Sequence, residues 1–232
     1  MFLILQFDSM RFFTILCLLI QLQLMAQSTN KLIYIGDPMC SWCYGIAPEL
    51  ENLVEKMDES IELQLIMGGL RPYNTQTMHD LGDFLSHHWK DVQKRSGQTF
   101  NFEILQDKSF IYDTEPPSRA VLVVRELASE REFAFFKAVQ TAFYQDNNDT
   151  GDIRTYLALA EEFHIDQTAF QKRFEAEDMK QATRDDFAAA RELGISSFPS
   201  LVFQKGENLY LLCQGYATAE DLLAKIDKIL SK

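Results

Sequence analysis

Cys40-Ser41-Trp42-Cys43 places two thiols three positions apart at the start of a helical pattern, directly after Gly36-Asp37-Pro38. Such a pair can be half of a zinc site, a static structural disulfide, or a reversible dithiol–disulfide couple. A closed zinc site needs four ligands, normally a second Cys pair or a His pair at short spacing. Cys213 stands alone, and the adjacent His87-His88 point about 100° apart on a helix, which disfavours zinc. A static disulfide across so small a loop removes little entropy from the unfolded chain and stabilises weakly. The redox reading has support from position. Cys40 falls where the helix begins, and there the unpaired backbone N–H groups and the positive end of the helix dipole favour a thiolate. In such motifs the first cysteine titrates in the range ~3.5–7.5. Cys43 lies one turn further in, shielded but suited to attack a mixed disulfide from behind. On this reading Cys40 attacks, open to a visiting polypeptide, and Cys43 resolves.

Neighbouring residues suggest supporting roles. Asp37 is read either as a proton relay near Cys43 or as a turn carboxylate capping the helix start. Trp42 is expected to face solvent as an aromatic platform for unfolded substrates. His79, His87, His88 and His164 are read as helix-surface residues, and Cys213 as a small core residue in a strand.

The elements that must position the pair follow from periodicity. "KLIYIGD" reads as a buried strand, and the stretch from Cys40 to about Met57 as a helix with Ile46, Leu50, Leu53, Val54 and Met57 at helical spacing. "IELQLIMGGL" is a second strand ended by Gly68-Gly69, so the order wants a parallel crossover. From Asn74 to Gly194 the signals are almost all helical. Asn74 or Thr75 is the expected cap of the first of these helices, with Gly97 closing it and Ser118 a cap further on. "SLVFQ" and "YLLCQGY" are strands joined by a turn over 205–208, and Thr218 caps a closing amphipathic helix. The order is βαβ, a helical block, then ββα. This predicts one α/β layer structure built from 31–72 and 195–232, with 73–194 inserted as a helical domain.

Composition sets outer limits. Of the 232 residues 47% are hydrophobic, which supports a packed core. The 22 basic against 34 acidic residues give a net charge of −12, and without a Lys/Arg cluster nucleic acid is not an expected partner. Residues 1–26 have the layout of a secretory leader: Arg11, an apolar run from Phe12 to Leu24, and a cleavage site after Ala26. Asp8 is out of place there, and initiation at Met10 would give a cleaner leader. The run is short for a membrane span; a retained anchor helix is the alternative, and Leu16 before Cys17 fits lipoprotein processing poorly. An exported, periplasmic protein without a membrane span in its mature chain is the expectation, with Cys40, Cys43 and Cys213 remaining.

"CSWCYGIAP" resembles the thioredoxin active-site segment, in which a proline five residues after the second cysteine, here Pro48, bends the first helix. "GISSFPS" resembles the cis-proline turn of that fold, with Pro199 ahead of the third strand and facing the cysteine pair. The helical block between them is similar to the insertion of the DsbA-like family. "DPMCSWCYG", "GGLRP", "HHWKDV…SGQTF" and "DTEPPSRA" look like a bacterial branch described as disulfide isomerases. The resemblance spans about 31–232. It implies a thioredoxin fold interrupted by a large all-helical insertion, and a thiol–disulfide oxidoreductase acting on protein cysteines. Phe198 and Pro199 would bind the substrate chain as an added strand, and "DTEPPS" is read either as lining the cleft between domains or as a plain helix entry. The implied cofactor is only the Cys40–Cys43 disulfide itself, with no metal. The implied partners are cysteine-containing unfolded or misoxidised proteins and a separate redox partner. Ser41-Trp42 replaces the Pro-His of the strongly oxidising DsbA type, which implies a weaker oxidant. Two other readings stay open: a glutathione-dependent isomerase of the kappa-transferase relatives, and an exported chaperone-like binding protein.

Overall fold

Leu32-Ile33-Tyr34-Ile35 has no residue that prefers water, and it forms the buried strand β1 (Lys31–Gly36). The computed structural model describes residues 30–232; the leader, its cleavage after Ala26, and Cys17 lie outside the described residues. Helix α1 (Ser41–Lys56) follows and returns to β2 (Glu62–Met67), which runs parallel to β1. After the helical block come β3 (Ser200–Lys205) and β4 (Asn208–Gln214), an antiparallel hairpin whose turn uses Gly206 at φ 62°. The sheet order is β2-β1-β3-β4, with β3 antiparallel to β1.

Helix α1 buries Cys43, Ile46, Leu50 and Leu53 along one stripe, the 3–4 spacing of an amphipathic helix. Pro48 lies inside it and cannot donate to the carbonyl of Tyr44. Gln98 Nε2 supplies the missing donor at 3.0 Å, so a residue from the block replaces a bond that the helix lacks.

The block contains α2 (Met78–Ser96), α3 (Glu115–Leu127), α4 (Glu132–Tyr144), α5 (Ile153–Glu162), α6 (Gln167–Glu175) and α7 (Glu177–Glu192). Two expected caps are corrected. Thr77, not Asn74 or Thr75, caps α2: Thr77 and Asp80 exchange side-chain bonds to each other's backbone N–H at 3.1 and 2.9 Å, a capping box. Asn74 instead donates to the Tyr112 carbonyl. Ser118 lies within α3, its hydroxyl bonded to the Thr114 carbonyl at 2.8 Å. The helix starts earlier, at Glu115, because the first turn has no use for the N–H groups that Pro116 and Pro117 lack. Gly97 ends α2 at φ 75° as expected. Thr218 caps the closing helix α8 (Ala219–Leu230), accepting from Asp221 N.

Two apolar layers sandwich the sheet. On one face Leu32, Tyr34, Leu65 and Phe203 join Leu50 of α1, Leu222 of α8 and Phe135, Phe136 and Val139 of α4 in one continuous core. On the other, Ile33, Ile35, Ile66 and Val202 pack against Ala190 of α7 and Ile195. The insertion therefore helps to build the core of the sheet. This arrangement is a thioredoxin fold interrupted by helices. Among the described residues no helix is long and apolar enough to cross a membrane.

Candidate active site

Cys40 is the N-cap of α1, with extended backbone and no side-chain capping bond. Its thiol is thus free to turn away from the helix, and it donates to the carbonyl oxygen of Phe198 at 3.5 Å, across 158 positions of chain. The Phe198–Pro199 peptide bond is cis. The expectation of an open Cys40 needs correction: it is only 5% exposed, because the Phe198 turn lies over it. A visiting sulfur must displace that contact. Cys43 is fully buried one turn below, and both thiols are free, as is Cys213. Burial pushes the Cys43 thiol well up from its ordinary range, and the neighbouring Cys40 adds to this; the Asp37 backbone and the Tyr34 hydroxyl oppose it in part.

Asp37 is fully buried and ties together three segments. Its Oδ1 accepts from Met39 N at 2.9 Å, and its Oδ2 from Leu70 N at 2.7 Å. Burial pushes its carboxyl up to about 6, against the pull of those two N–H groups and the Thr114 side chain. Thr114 Oγ1 in turn accepts from Arg71 N at 3.0 Å. With both oxygens engaged by donors, Asp37 organises the floor of the site between the Cys loop, the "GGLRP" turn and the "DTEPPS" segment. These bonds go to Met39 N and Leu70 N, both outside α1, so the carboxylate braces the turn ahead of the helix without capping it.

Gly68 explains how Phe198 fits. A Cβ at Gly68 would lie 2.2 Å from Phe198 Cε1, so the half-buried ring seats directly on the backbone at the end of β2. Trp42 is also corrected. It is half-buried, against the cluster of Met39, Tyr44, Trp89 and Phe100, since the insertion brings aromatic rings up to the first turn of α1. The phrases that carried the family resemblance converge on this point. Tyr44 stacks on Tyr144 at 4.7 Å, its hydroxyl donates to Thr99 O, and Gly45 has Val92 where a side chain would go.

Three residues of this site were not anticipated. Tyr112 donates its hydroxyl to the Met39 carbonyl, Thr114 supports Arg71, and the buried Tyr34 hydroxyl is an ionisable neighbour of Cys43. Gly36, two residues after Tyr34 and on the same side of β1, was the available signal for the last. His79, His87 and His164 are exposed, whereas His88 is half-buried against Phe84 at 4.3 Å. Cys213 is half-buried at the edge of the core, beside a bulge that turns Leu212 inward. Among the described residues no three His, Cys, Asp or Glu are grouped to share a metal ion.

A family model described as Thioredoxin matches residues 33–222. Among solved structures, a "putative protein disulfide isomerase" from Nitrosomonas europaea is 35% identical with a TM-score of 0.80, covering 88% of this chain and 98% of that one. Cytosolic disulfide reductase DsbM from Pseudomonas aeruginosa is 25% identical with a TM-score of 0.73, covering 87% and 98%. The ClpXP adapter protein SpxH of Bacillus licheniformis is 23% identical over 191 residues, covering 79% of this chain and 62% of SpxH. The chain spans about three fifths of the length of the curated relatives it matches. The match over most of the chain and the likeness to these structures place it: this chain belongs to the thioredoxin family, as a member with the DsbA-like fold.

Proposed function

We propose that this protein exchanges disulfides with cysteine-containing polypeptides through Cys40 and Cys43. The observation that carries the reading is the Cys40 thiol, uncapped at the start of α1 and facing the Phe198 carbonyl, with Cys43 one turn deeper. Acting as a reductase, the Cys40 thiolate attacks a substrate disulfide and releases one substrate thiolate, which takes up a proton. Cys43 then attacks Cys40 Sγ, the Cys40–substrate bond breaks, and the second substrate thiol leaves. The pair is oxidised as the substrate is reduced. The reverse sequence oxidises a substrate dithiol, and isomerisation combines the two. Phe198, once its carbonyl is released from Cys40, pairs with an extended substrate backbone beside Pro199. Trp42 contributes its exposed edge to the substrate surface. Clients are unfolded or misoxidised proteins, a separate redox partner resets the pair, and the leader-like residues 1–26 direct the chain to an oxidising, periplasmic compartment.

The test is the reduction of a disulfide-bonded protein. Cys40→Ser abolishes it, and Cys43→Ser accumulates covalent client adducts that reductant releases. Undiminished reduction by Cys40→Ser refutes the proposal. A second reading draws on the SpxH likeness: client capture without turnover. On that reading Cys43→Ser traps no adduct and client binding survives loss of Cys40.

A further inference from the structure

Tyr34 lies on β1, fully buried on the face that meets α1 and α4. Its ring packs edge-on against Phe136 at 5.7 Å and runs along the strand over Gly36. A Cβ at Gly36 would sit 2.8 Å from Tyr34 Cζ and 2.9 Å from its oxygen. The missing side chain is therefore the space in which the phenol lies, and it lets the hydroxyl reach the C-terminal end of β1. There the Cys43 thiol is an ionisable neighbour, near enough to affect it without a formed hydrogen bond between them. The hydroxyl has no well-formed hydrogen bond to any described group. A buried hydroxyl left so destabilises the fold, and a phenylalanine would avoid it.

We propose that Tyr34 is the hydrogen-bond donor to the Cys43 sulfur when that sulfur becomes a thiolate in the resolving step. The inference rests on the disulfide-exchange reading above. In this step Cys43 gives up its proton to solvent and its sulfur attacks Cys40 Sγ. The Cys43–Cys40 bond forms, the Cys40–substrate bond breaks, and the substrate sulfur leaves with the electron pair and takes up a proton from water. Charge appears on a buried sulfur, where a donor held close by is worth most. Burial holds the Tyr34 hydroxyl well above its ordinary titration range, so it keeps its own proton and serves as donor, not base.

The experiment separates the two chemical steps. Full-length protein with Cys17 and Cys213 replaced by serine is reduced and mixed with an aromatic disulfide that releases a coloured thiolate at each step. The first release reports attack by Cys40; the second reports resolution by Cys43. Tyr34→Phe removes one oxygen and keeps the ring. The expected result is an unchanged first release and a second release slower by about tenfold or more, the rate equivalent of a hydrogen bond to a charged group. The pH at which the second release reaches half its plateau moves up by about one unit. The other ionisable groups around Cys43, namely Cys40, Asp37, Tyr112 before α3 and Tyr144 on α4, are untouched by the substitution. Should Tyr34→Phe not fold, Gly36→Ala displaces the hydroxyl instead and is expected to slow the second release alone. An unchanged second release, or equal slowing of both, overturns the inference. Absence of any first release would instead overturn the disulfide-exchange reading.

Discussion

Two carboxylates three residues apart in their targets hold the backbone where β2 ends, and they do so in opposite surroundings. Asp186 of α7 accepts from Met67 N at 2.9 Å and is clasped by Arg125 at 3.0 Å. Arg125 also bonds Glu132 at 2.7 Å and the Leu65 carbonyl at 2.9 Å. Asp37 accepts from Leu70 N at 2.7 Å, and its other donors are the Met39 N–H and the Thr114 side chain, none of them a cation. The first carboxylate has a cation and fastens the insertion to the open edge of β2, a strand edge that would otherwise offer itself to other chains. The second has none, and burial raises its carboxyl to about 6. One seam holds its negative charge beside a cation; the other holds a carboxyl with no cation at hand. The fold places the paired carboxylate at the structural seam and the unpaired one beneath the cysteines.

The largest expected break comes from Arg125→Ala. It leaves Asp186 and Glu132, which are 17% and 14% exposed, without their cation. Because Arg125 itself is partly exposed, a loss of about 2–3 kcal/mol is expected, at the low end for a broken buried pair. Denaturant unfolding measures it, and reduction per folded molecule should not change.

The next effect is at Asp37. A carboxyl raised in the folded state contributes stability that is fully present below its unfolded value near 4 and is lost as pH rises through about 6. At about 1.4 kcal/mol per pH unit, the stability difference between wild type and Asp37→Asn should fall by about 2–3 kcal/mol across that window and stay flat above it. Unfolding free energies at several pH values decide this; a parallel pair of curves would remove the contrast between the seams.

The smallest effect sharpens the comparison with a neutral contact. Gln98→Ala strips the Tyr44 carbonyl of its donor and should cost about 1 kcal/mol. Adding Pro48→Ala restores an N–H one turn away, so the double variant should recover most of that loss. Additive losses would show that Gln98 does not stand in for the missing helix bond.

The strands around the site were legible because their apolar runs and breaker residues are local signals. Leu32 to Ile35 ends at Gly36-Asp37-Pro38, and Ser200 to Phe203 follows Pro199. The start of α1 at the cysteine pair was legible for the same reason. The cap of α2 was not, since Asn74, Thr75 and Thr77 all offer a suitable oxygen. The choice fell to Asp80, which returns the bond to Thr77, and to Tyr112, whose carbonyl engages Asn74. Trp42 was misjudged because helical spacing says which side of α1 it occupies but not that Trp89 and Phe100 arrive there from the insertion. Tyr34 was read as core, which it is; the destination of its hydroxyl depends on how α1 docks over Gly36.

Residue order alone determined that two thiols would sit at a helix start, that a proline turn would precede the third strand, and that helices would interrupt a βαβ–ββα chain. These are statements about neighbours along the backbone, governed by torsion angles, caps and hydrophobic period. Only the tertiary structure decided that Phe198 would cover Cys40, that Asp37 would lie buried without a cation, and that a tyrosine would stand behind Cys43. Those outcomes depend on desolvation and close packing between segments separated by up to 158 positions, where small shifts in docking decide which polar atoms meet.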